Sequence, residues 1–191
     1  QGTLDKFIGD GVMAIFGAPV PLPDHAERAC RAALGMNREL EALQARWIAE
    51  GREPFKIGIG INTADMMVGN LGSEQLFDYT VAGDGVNVGA RVESLNKEYK
   101  TDTSIIISET TYLAAQDVLD VRRLGEATVK GKTRPIVVYE LRGIREPADQ
   151  PAGGQPVDPV GHGAGRHQGL GDQLAGGELV RLAGPTQCRQ H

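Results

Sequence analysis

Two apolar, β-capable runs near the start of the chain, Thr3–Ile8 and Val12–Phe16, are separated only by Gly9-Asp10-Gly11. An Asp-Gly pair between such runs is a strong short-range signal for a β-hairpin. We therefore expect the chain to open with two antiparallel strands. Asp10 would then lie at the tip of their turn.

Up to about residue 145 the chain alternates between helical and strand patterns. Helices are expected from Asp24, where Glu27 three residues later completes a capping box, to just before Gly51, and again over Val86–Tyr99. Further strands are expected at Phe55–Asn62, Met66–Leu71, Phe77–Val81, Ile105–Ile107, Val118–Val121, Ala127–Val129 and Ile136–Leu141, with a short helix at Glu109–Gln116. Several neighbouring strands are joined by connections too short for parallel crossovers. The patterns therefore predict an α+β fold, a mixed sheet with helices packed on one face.

The segment after Arg145 differs in composition, because it is rich in Gly, Pro and Gln, whereas every aromatic residue lies between Phe7 and Tyr139. Such a segment has too little apolar surface to offset the entropy cost of ordering it. We predict one globular domain over residues 1–145 and a disordered tail over residues 146–191. The spacing of the tail's potential metal ligands matches no standard zinc site: His162, His167, Cys188 and His191.

Charge and hydropathy exclude some partners. The 191 residues carry a formal net charge of -5 without a basic stripe, so nucleic acid is not expected to bind. No apolar run approaches the roughly 20 residues that cross a bilayer, so this segment is not expected to insert into a membrane. The cysteines, Cys30 and Cys188, stand apart, which favours a reducing, cytoplasmic setting.

Asp10 is a candidate metal ligand. A carboxylate at a hairpin tip can approach a hard cation such as Mg²⁺ or Mn²⁺ that is shared with substrate phosphates. Asp is also common in such turns for backbone reasons alone, and by itself the position does not decide between the two interpretations.

The helical pattern after Gly83-Asp84-Gly85 carries a second candidate. Asn87 and Arg91 are four residues apart and share one helix face, beside an apolar stripe formed by Val88, Val92 and Leu95. A guanidinium fork beside an amide suits phosphate and ribose oxygens. A solvated helix surface would fit the same spacing.

A basic turn, Val129-Lys130-Gly131-Lys132-Thr133, ends like a P-loop motif. That interpretation fails because Glu126 stands where the first Gly is required, and because Pro135 opens a strand where a P-loop needs a helix. The turn could contact a terminal phosphate or be a solvated hairpin loop.

Three stretches in this order, Asp5–Gly17, Gly60–Gly72 and Phe77–Leu95, closely resemble class III nucleotidyl cyclases, the adenylate and guanylate cyclase catalytic domain. The resemblance extends from about Thr3 to Ile144. It implies a ferredoxin-like, palm-type fold that converts ATP to 3′,5′-cyclic AMP and pyrophosphate in cyclic-nucleotide signal transduction. It also implies two metal ions, Mg²⁺ or Mn²⁺, a homodimer with active sites at its interface, and regulatory domains elsewhere in the parent chain.

The resemblance also implies roles for particular residues. Asp10 matches the second of two metal-binding aspartates. Lys6 matches the lysine that recognises the base, and Thr80 the position that pairs with it. Asn87 matches the residue that orients the ribose, and Arg91 the one that stabilises charge on the phosphate in the transition state.

Lys130 matches the lysine that reaches the terminal phosphates. For the base, Lys6 can donate to adenine N1 and the Thr80 hydroxyl can accept from the adenine amine. Guanine-selective members place a carboxylate at the lysine position, so ATP is favoured here. A lysine can also donate to guanine O6, which leaves a guanylate cyclase open as an alternative.

The family's first metal-binding aspartate lies on an opening strand that this sequence does not contain, and no substitute is visible, because Asp24 follows a proline-rich loop and Asp65 and Asp84 lie in other motifs. We therefore expect an active parent protein and little or no turnover from the chain as given, even with Mn²⁺. The rival from another class is a non-catalytic nucleotide-binding or dimerisation module of the same fold. A palm domain that makes cyclic dinucleotides is disfavoured because the hairpin lacks a Gly-Gly-Asp/Glu-Glu-Phe motif.

Overall fold

The computed structural model describes residues 2–73, 76–128, 135–145 and 175–183. Strands and helices alternate along these residues, with strands predominating. In chain order the elements are β1 (Thr3–Ile8), β2 (Gly11–Phe16), α1 (His25–Ala49), β3 (Gly58–Ser73), β4 (Leu76–Ala82), α2 (Asp84–Ser94), a 3-10 turn (Leu95–Lys97), β5 (Ile105–Ser108), α3 (Glu109–Ala114), β6 (Leu119–Ala127), β7 (Ile136–Ile144) and β8 (Ala175–Ala183).

The strands form a mixed sheet in the order β1-β2-β8-β3-β5-β7-β6, and β4 pairs with β3 beside this path. β3 and β5 run parallel, whereas the other strand pairs of the described residues are antiparallel. The opening hairpin is confirmed, since Ile8 pairs with Gly11 across its turn. The predicted mixed α+β architecture is confirmed as well.

Two pairs of predicted strands are each one continuous strand. β3 runs through Thr63-Ala64-Asp65, which separates the two expected strands, because β8 and β4 supply it with partners along its length. β6 likewise pairs with β7 along its length, with irregularities between Asp120 and Val121 and between Arg123 and Gly125. Gly125 has φ of 143°, a conformation that favours glycine. Local sequence breaks did not end these strands because their backbone groups are paired across the sheet.

The helices cover both faces of the sheet, whereas one face was expected. Ile59 and Ile61 of β3 lie in the core cluster with Ala29 and Ala33 of α1. Gly60, between them in the strand, faces α2 instead, where an added Cβ would approach Glu93. Because successive strand residues point to opposite faces, α1 and α2 must lie on opposite sides of β3.

Helix α1 begins as predicted, but the capping box does not form. Asp24 is the N-cap and makes no side-chain capping hydrogen bond. The Asp24 carboxylate instead accepts from Arg28 Nε at 2.7 Å, and this bond lowers the pKa of Asp24 from its usual value. Glu27 accepts from Arg31 Nε, also at 2.7 Å. Two ion pairs with a spacing of four residues have replaced the reciprocal cap.

The prediction of disorder over residues 146–191 is wrong for Ala175–Ala183. These residues form β8, which pairs antiparallel with β2 on one side and with β3 on the other. Low side-chain burial does not prevent this strand, because the open backbone N–H and C=O groups of two flanking strands pair with a Gly-containing segment as well as with any other. The tail's histidines and Cys188 lie outside the described residues.

Candidate active site

Asp10 lies in the two-residue turn between β1 and β2 and is exposed. The preceding Gly9 has φ of 61°, which suits glycine in a tight turn. In the described part of the chain no group of three His, Cys, Asp or Glu residues could hold a metal ion. A single exposed carboxylate fits one protein ligand of Mg²⁺, which takes its remaining ligands from phosphates and water. One carboxylate does not define the geometry of a metal site, so we derive no chemical step through a metal.

Lys6 and Thr80 come together at a third residue, Asp5, that the sequence analysis did not assign. Thr80 Oγ1 donates a hydrogen bond to Asp5 Oδ2 at 2.9 Å, across 75 positions of sequence. Lys6 Nζ lies 3.9 Å from the same oxygen. The Lys6 side chain is 40% exposed and that of Asp5 only 1%. A buried carboxylate therefore joins the two residues that were predicted to recognise the base.

The position of Asp5 follows from an irregularity in β1. The pairing of β1 with β2 shifts register between Leu4 and Lys6, so Asp5 is an extra residue in its strand. Such bulges redirect side chains and are frequent beside functional sites. A sequence signal for it existed, because Asp5 and Lys6 are consecutive polar residues in a run whose neighbours are apolar.

Asn87 and Arg91 lie one turn apart on α2. Asn87 is exposed, and the Arg91 side chain is 36% exposed. The stripe beside them is buried, since Val88, Val92 and Leu95 pack in one cluster. The predicted division of this helix into an apolar and a polar face is confirmed.

Arg91 has partners on its own chain. Its Nη2 lies 2.9 Å from Glu98 Oε1, whose side chain is 52% exposed. Its Nε donates to the Thr128 carbonyl at 3.3 Å. The guanidinium must therefore exchange an exposed ion pair in order to bind a phosphate, an exchange that costs about 1 kcal/mol or less.

Helix α2 is docked on β3 by close backbone contact. A Cβ built on Gly60 would lie 2.5 Å from the Glu93 Cα and closer still to its backbone nitrogen. At the other end of the helix, a Cβ on Gly85 would lie 2.7 Å from the Ala64 Cβ. The two glycines allow the helix to approach the strand at both ends, which fixes the position of Asn87 and Arg91.

No hydrogen bond or ion pair links Asn87 or Arg91 to Lys6, Asp10 or Thr80 within the described ranges. The structure thus brings Lys6 and Thr80 together through Asp5. It leaves Asn87 and Arg91 of α2, the helix pair, separate from them. Lys130 lies outside the described residues, so its predicted role is not tested. Pro135 is followed at once by strand β7, whereas a P-loop would be followed by a helix.

A cavity of about 280 Å³ opens beside the N-terminus of α2. Its polar lining includes Asn62, whose Nδ2 donates to the Gly85 carbonyl at 2.9 Å. Of the predicted site residues, the five that the structure describes are all absent from its lining. The cavity is therefore separate from those five residues.

The family model of the adenylate and guanylate cyclase catalytic domain matches residues 5–143, more than half of the chain. This chain belongs to that family. Adenylate cyclase 1 of Rhizobium meliloti (strain 1021) is 38% identical to this cyclase-family chain over 144 residues, 75% of this chain and 21% of the relative. The chain thus spans about a fifth of the length of that relative.

Two solved structures are similar to this family member. The guanylyl cyclase Cya2 is 39% identical with a TM-score of 0.68, and the match covers 76% of this chain and 72% of that one. The adenylyl cyclase CyaB from P. aeruginosa is 36% identical with a TM-score of 0.67, covering 75% and 73%. Cyclases of both names are comparably similar, so similarity does not select the base. In the described residues, no helix combines the length and hydropathy required to cross a membrane.

Proposed function

We propose that this chain forms the catalytic surface of an adenylate cyclase, which converts ATP to 3′,5′-cyclic AMP and pyrophosphate by attack of the ribose 3′-hydroxyl on the α-phosphorus. The observation that carries the proposal is the Lys6–Asp5–Thr80 cluster in a chain of the cyclase family. Lys6 presents a donor and Thr80 an oxygen that can accept, the complement of adenine N1 and its 6-amino group. Both groups are anchored on one buried carboxylate.

The helix pair supplies the second half of the proposal. Asn87 would orient the ribose, and Arg91 would stabilise the negative charge that shifts between phosphate oxygens during transfer. Positioning and charge stabilisation make up most of what a protein contributes to phosphoryl transfer. Lys130 would hold the terminal phosphates.

We infer that two copies of the chain complete each site. In one copy the helix pair makes no hydrogen bond or ion pair with the base-recognising cluster within the described residues, so a second copy would bring the two groups to one nucleotide. Large apolar side chains are exposed on β1 and β4, the strands that the Thr80–Asp5 bond connects, and on β3, which pairs with β4: Leu4, Phe7, Met67 and Tyr79. Exposed apolar surface of this kind is typical of protein–protein interfaces.

Asp10 would be one protein ligand of Mg²⁺ or Mn²⁺. When bound, such a cation would offset charge on the attacking and leaving oxygens. A guanylate cyclase is the second candidate, and the similarity to the guanylyl cyclase Cya2 favours it. The two candidates differ only in the base that Lys6 and Thr80 accept.

The proposal is tested by measuring cyclic AMP and cyclic GMP formation from ATP and GTP with Mg²⁺ or Mn²⁺, in the chain and in a longer chain that includes the residues encoded upstream. We expect Arg91→Ala to lower turnover at least about a hundredfold with a smaller change in KM, and Asp10→Ala to abolish metal-dependent turnover. Arg123→Ala is the matched control, because that arginine is 57% exposed on β6. Turnover that is indifferent to both site variants would contradict the proposal, as would failure of the longer chain to form either product.

A further inference from the structure

The buried carboxylate of Asp5 anchors Lys6 and Thr80 but takes no direct part in the proposed cyclisation. We propose that Asp5 is a positioning residue for base selectivity: by accepting the hydrogen bond that the Thr80 hydroxyl donates, it leaves that hydroxyl able only to accept from the nucleotide. The inference rests on the proposed function, because it concerns how the same site distinguishes ATP from GTP.

The geometry restricts the direction of the Thr80 hydroxyl. A hydroxyl has one proton to donate and two lone pairs, whereas an ionised carboxylate only accepts. Thr80 Oγ1 lies 2.9 Å from Asp5 Oδ2 and donates its proton there. Thr80 retains only 8% of its surface, so few other donors or acceptors can compete for the hydroxyl. Toward a ligand, Thr80 therefore presents lone pairs.

This restriction distinguishes the two purine bases. Adenine carries an amino group at C6, which donates, whereas guanine carries O6, which accepts. Lys6 is a donor only and serves adenine N1 or guanine O6 equally well. Thr80 can accept from the adenine amine without losing its bond to Asp5, but it can donate to guanine O6 only by breaking that bond. Thr80 therefore distinguishes adenine from guanine, and Asp5 determines that adenine is the preferred base.

The second carboxylate oxygen argues against a purely structural role for Asp5. Asp5 Oδ1 is buried and finds no hydrogen-bond partner among the described residues. A buried acceptor that is left unsatisfied lowers stability, so a carboxylate kept for stability alone would have both oxygens satisfied. With 1% of its side chain exposed, Asp5 cannot reach a nucleotide itself. It can therefore act on the base only through Thr80 and Lys6.

The test compares the affinities of ATP and GTP, measured by displacement of a fluorescent ATP analogue from the 191-residue chain. Asp5→Leu keeps the size of the side chain and removes the acceptor, so the Thr80 hydroxyl becomes free to donate to guanine O6. We expect the ATP-to-GTP affinity ratio to fall about tenfold, the worth of one hydrogen bond. Asp5→Asn retains a carbonyl acceptor and should keep the ratio within about threefold of the unmodified chain.

Thr80 provides the control for a structural effect. Thr80→Val should lose the same selectivity as Asp5→Leu, and adding Asp5→Leu to Thr80→Val should leave the ratio unchanged, whereas Thr80→Ser should preserve it. Equal losses of ATP and GTP affinity in Asp5→Leu, with an unchanged ratio, would show that Asp5 only supports the fold and would overturn the inference alone. Failure of the unmodified chain to bind either nucleotide would overturn the proposed function and this inference with it.

Discussion

Gly60 is the position where one methyl group should do most damage to both fold and site. An alanine there would place its Cβ 2.5 Å from the Cα of Glu93, and 2.7 Å from the Glu93 Cβ. Ordinary contacts begin at 3.4 Å, so α2 must move away from β3 by about 1 Å. The obstacle is helix backbone, which no side-chain rotation can relieve.

The cost should reach the upper end of the range for overpacked cores, about 3 kcal/mol. Against a total unfolding free energy of roughly 5–15 kcal/mol, that is a large loss. For a chain of this size it corresponds to a fall in melting temperature of about 6–12 °C. Because α2 carries Asn87 and Arg91, a shift of about 1 Å should also lower turnover up to a hundredfold in an active form of the protein.

Thermal and urea unfolding of Gly60→Ala, followed by circular dichroism, would measure this cost. Gly143→Ala is the matched control, because it also lies in a strand and an added Cβ there meets nothing within 4 Å. We expect that variant to stay within about 0.5 kcal/mol of the unmodified chain. If Gly60→Ala unfolds like Gly143→Ala, the backbone of α2 does not lie within contact distance of Gly60.

Three further predictions address separate parts of the molecule. Glu140 is fully buried, and its carboxylate accepts from an arginine of β6 and from two backbone N–H groups. Glu140→Ala should therefore cost about 1–3 kcal/mol in urea unfolding, whereas Glu126→Ala, at a carboxylate whose side chain is 58% exposed, should cost less than about 0.5 kcal/mol. Deletion of residues 175–183 should leave β2 and β3 with unpaired edges and cause self-association in light scattering, and a monodisperse product would contradict the central position of β8. Glu98→Gln should release Arg91 and raise cyclase turnover by up to about fivefold, and unchanged turnover would mean that this ion pair does not compete with the nucleotide.

The parts of the fold that were predictable are those coded by short-range patterns. Gly9-Asp10-Gly11 between two apolar runs specifies the opening hairpin independently of how the rest of the chain folds. The stripe of Val88, Val92 and Leu95 specifies which face of α2 is buried. Such features depend on neighbours within one or two turns or on one tight connection, so the sequence alone is sufficient to identify them.

The features that were missed depend on residues far apart in sequence. β8 forms because β2 and β3, which are far from it in sequence, leave room for a strand between them. The residues of Ala175–Ala183 carry no pattern that would indicate this. Asp5 acquires its place from a bulge in β1 and a partner, Thr80, on another strand. The capping box at Asp24 failed for a local reason, since Arg28 and Arg31 compete for the two carboxylates that the box requires.

The place of β8 in the sheet also bears on how this protein folds as it is synthesised. Phe16 of β2 and Thr63 of β3 both pair with Glu178 of β8. The middle of the sheet therefore cannot form until β8 has left the ribosome, long after β2 and β3. Contacts of such sequence separation slow folding, and during the delay the nascent chain presents two unsatisfied strands that chaperones, or a strand from another polypeptide, can engage. The rate at which this sheet closes should therefore be governed by the arrival of its last strand.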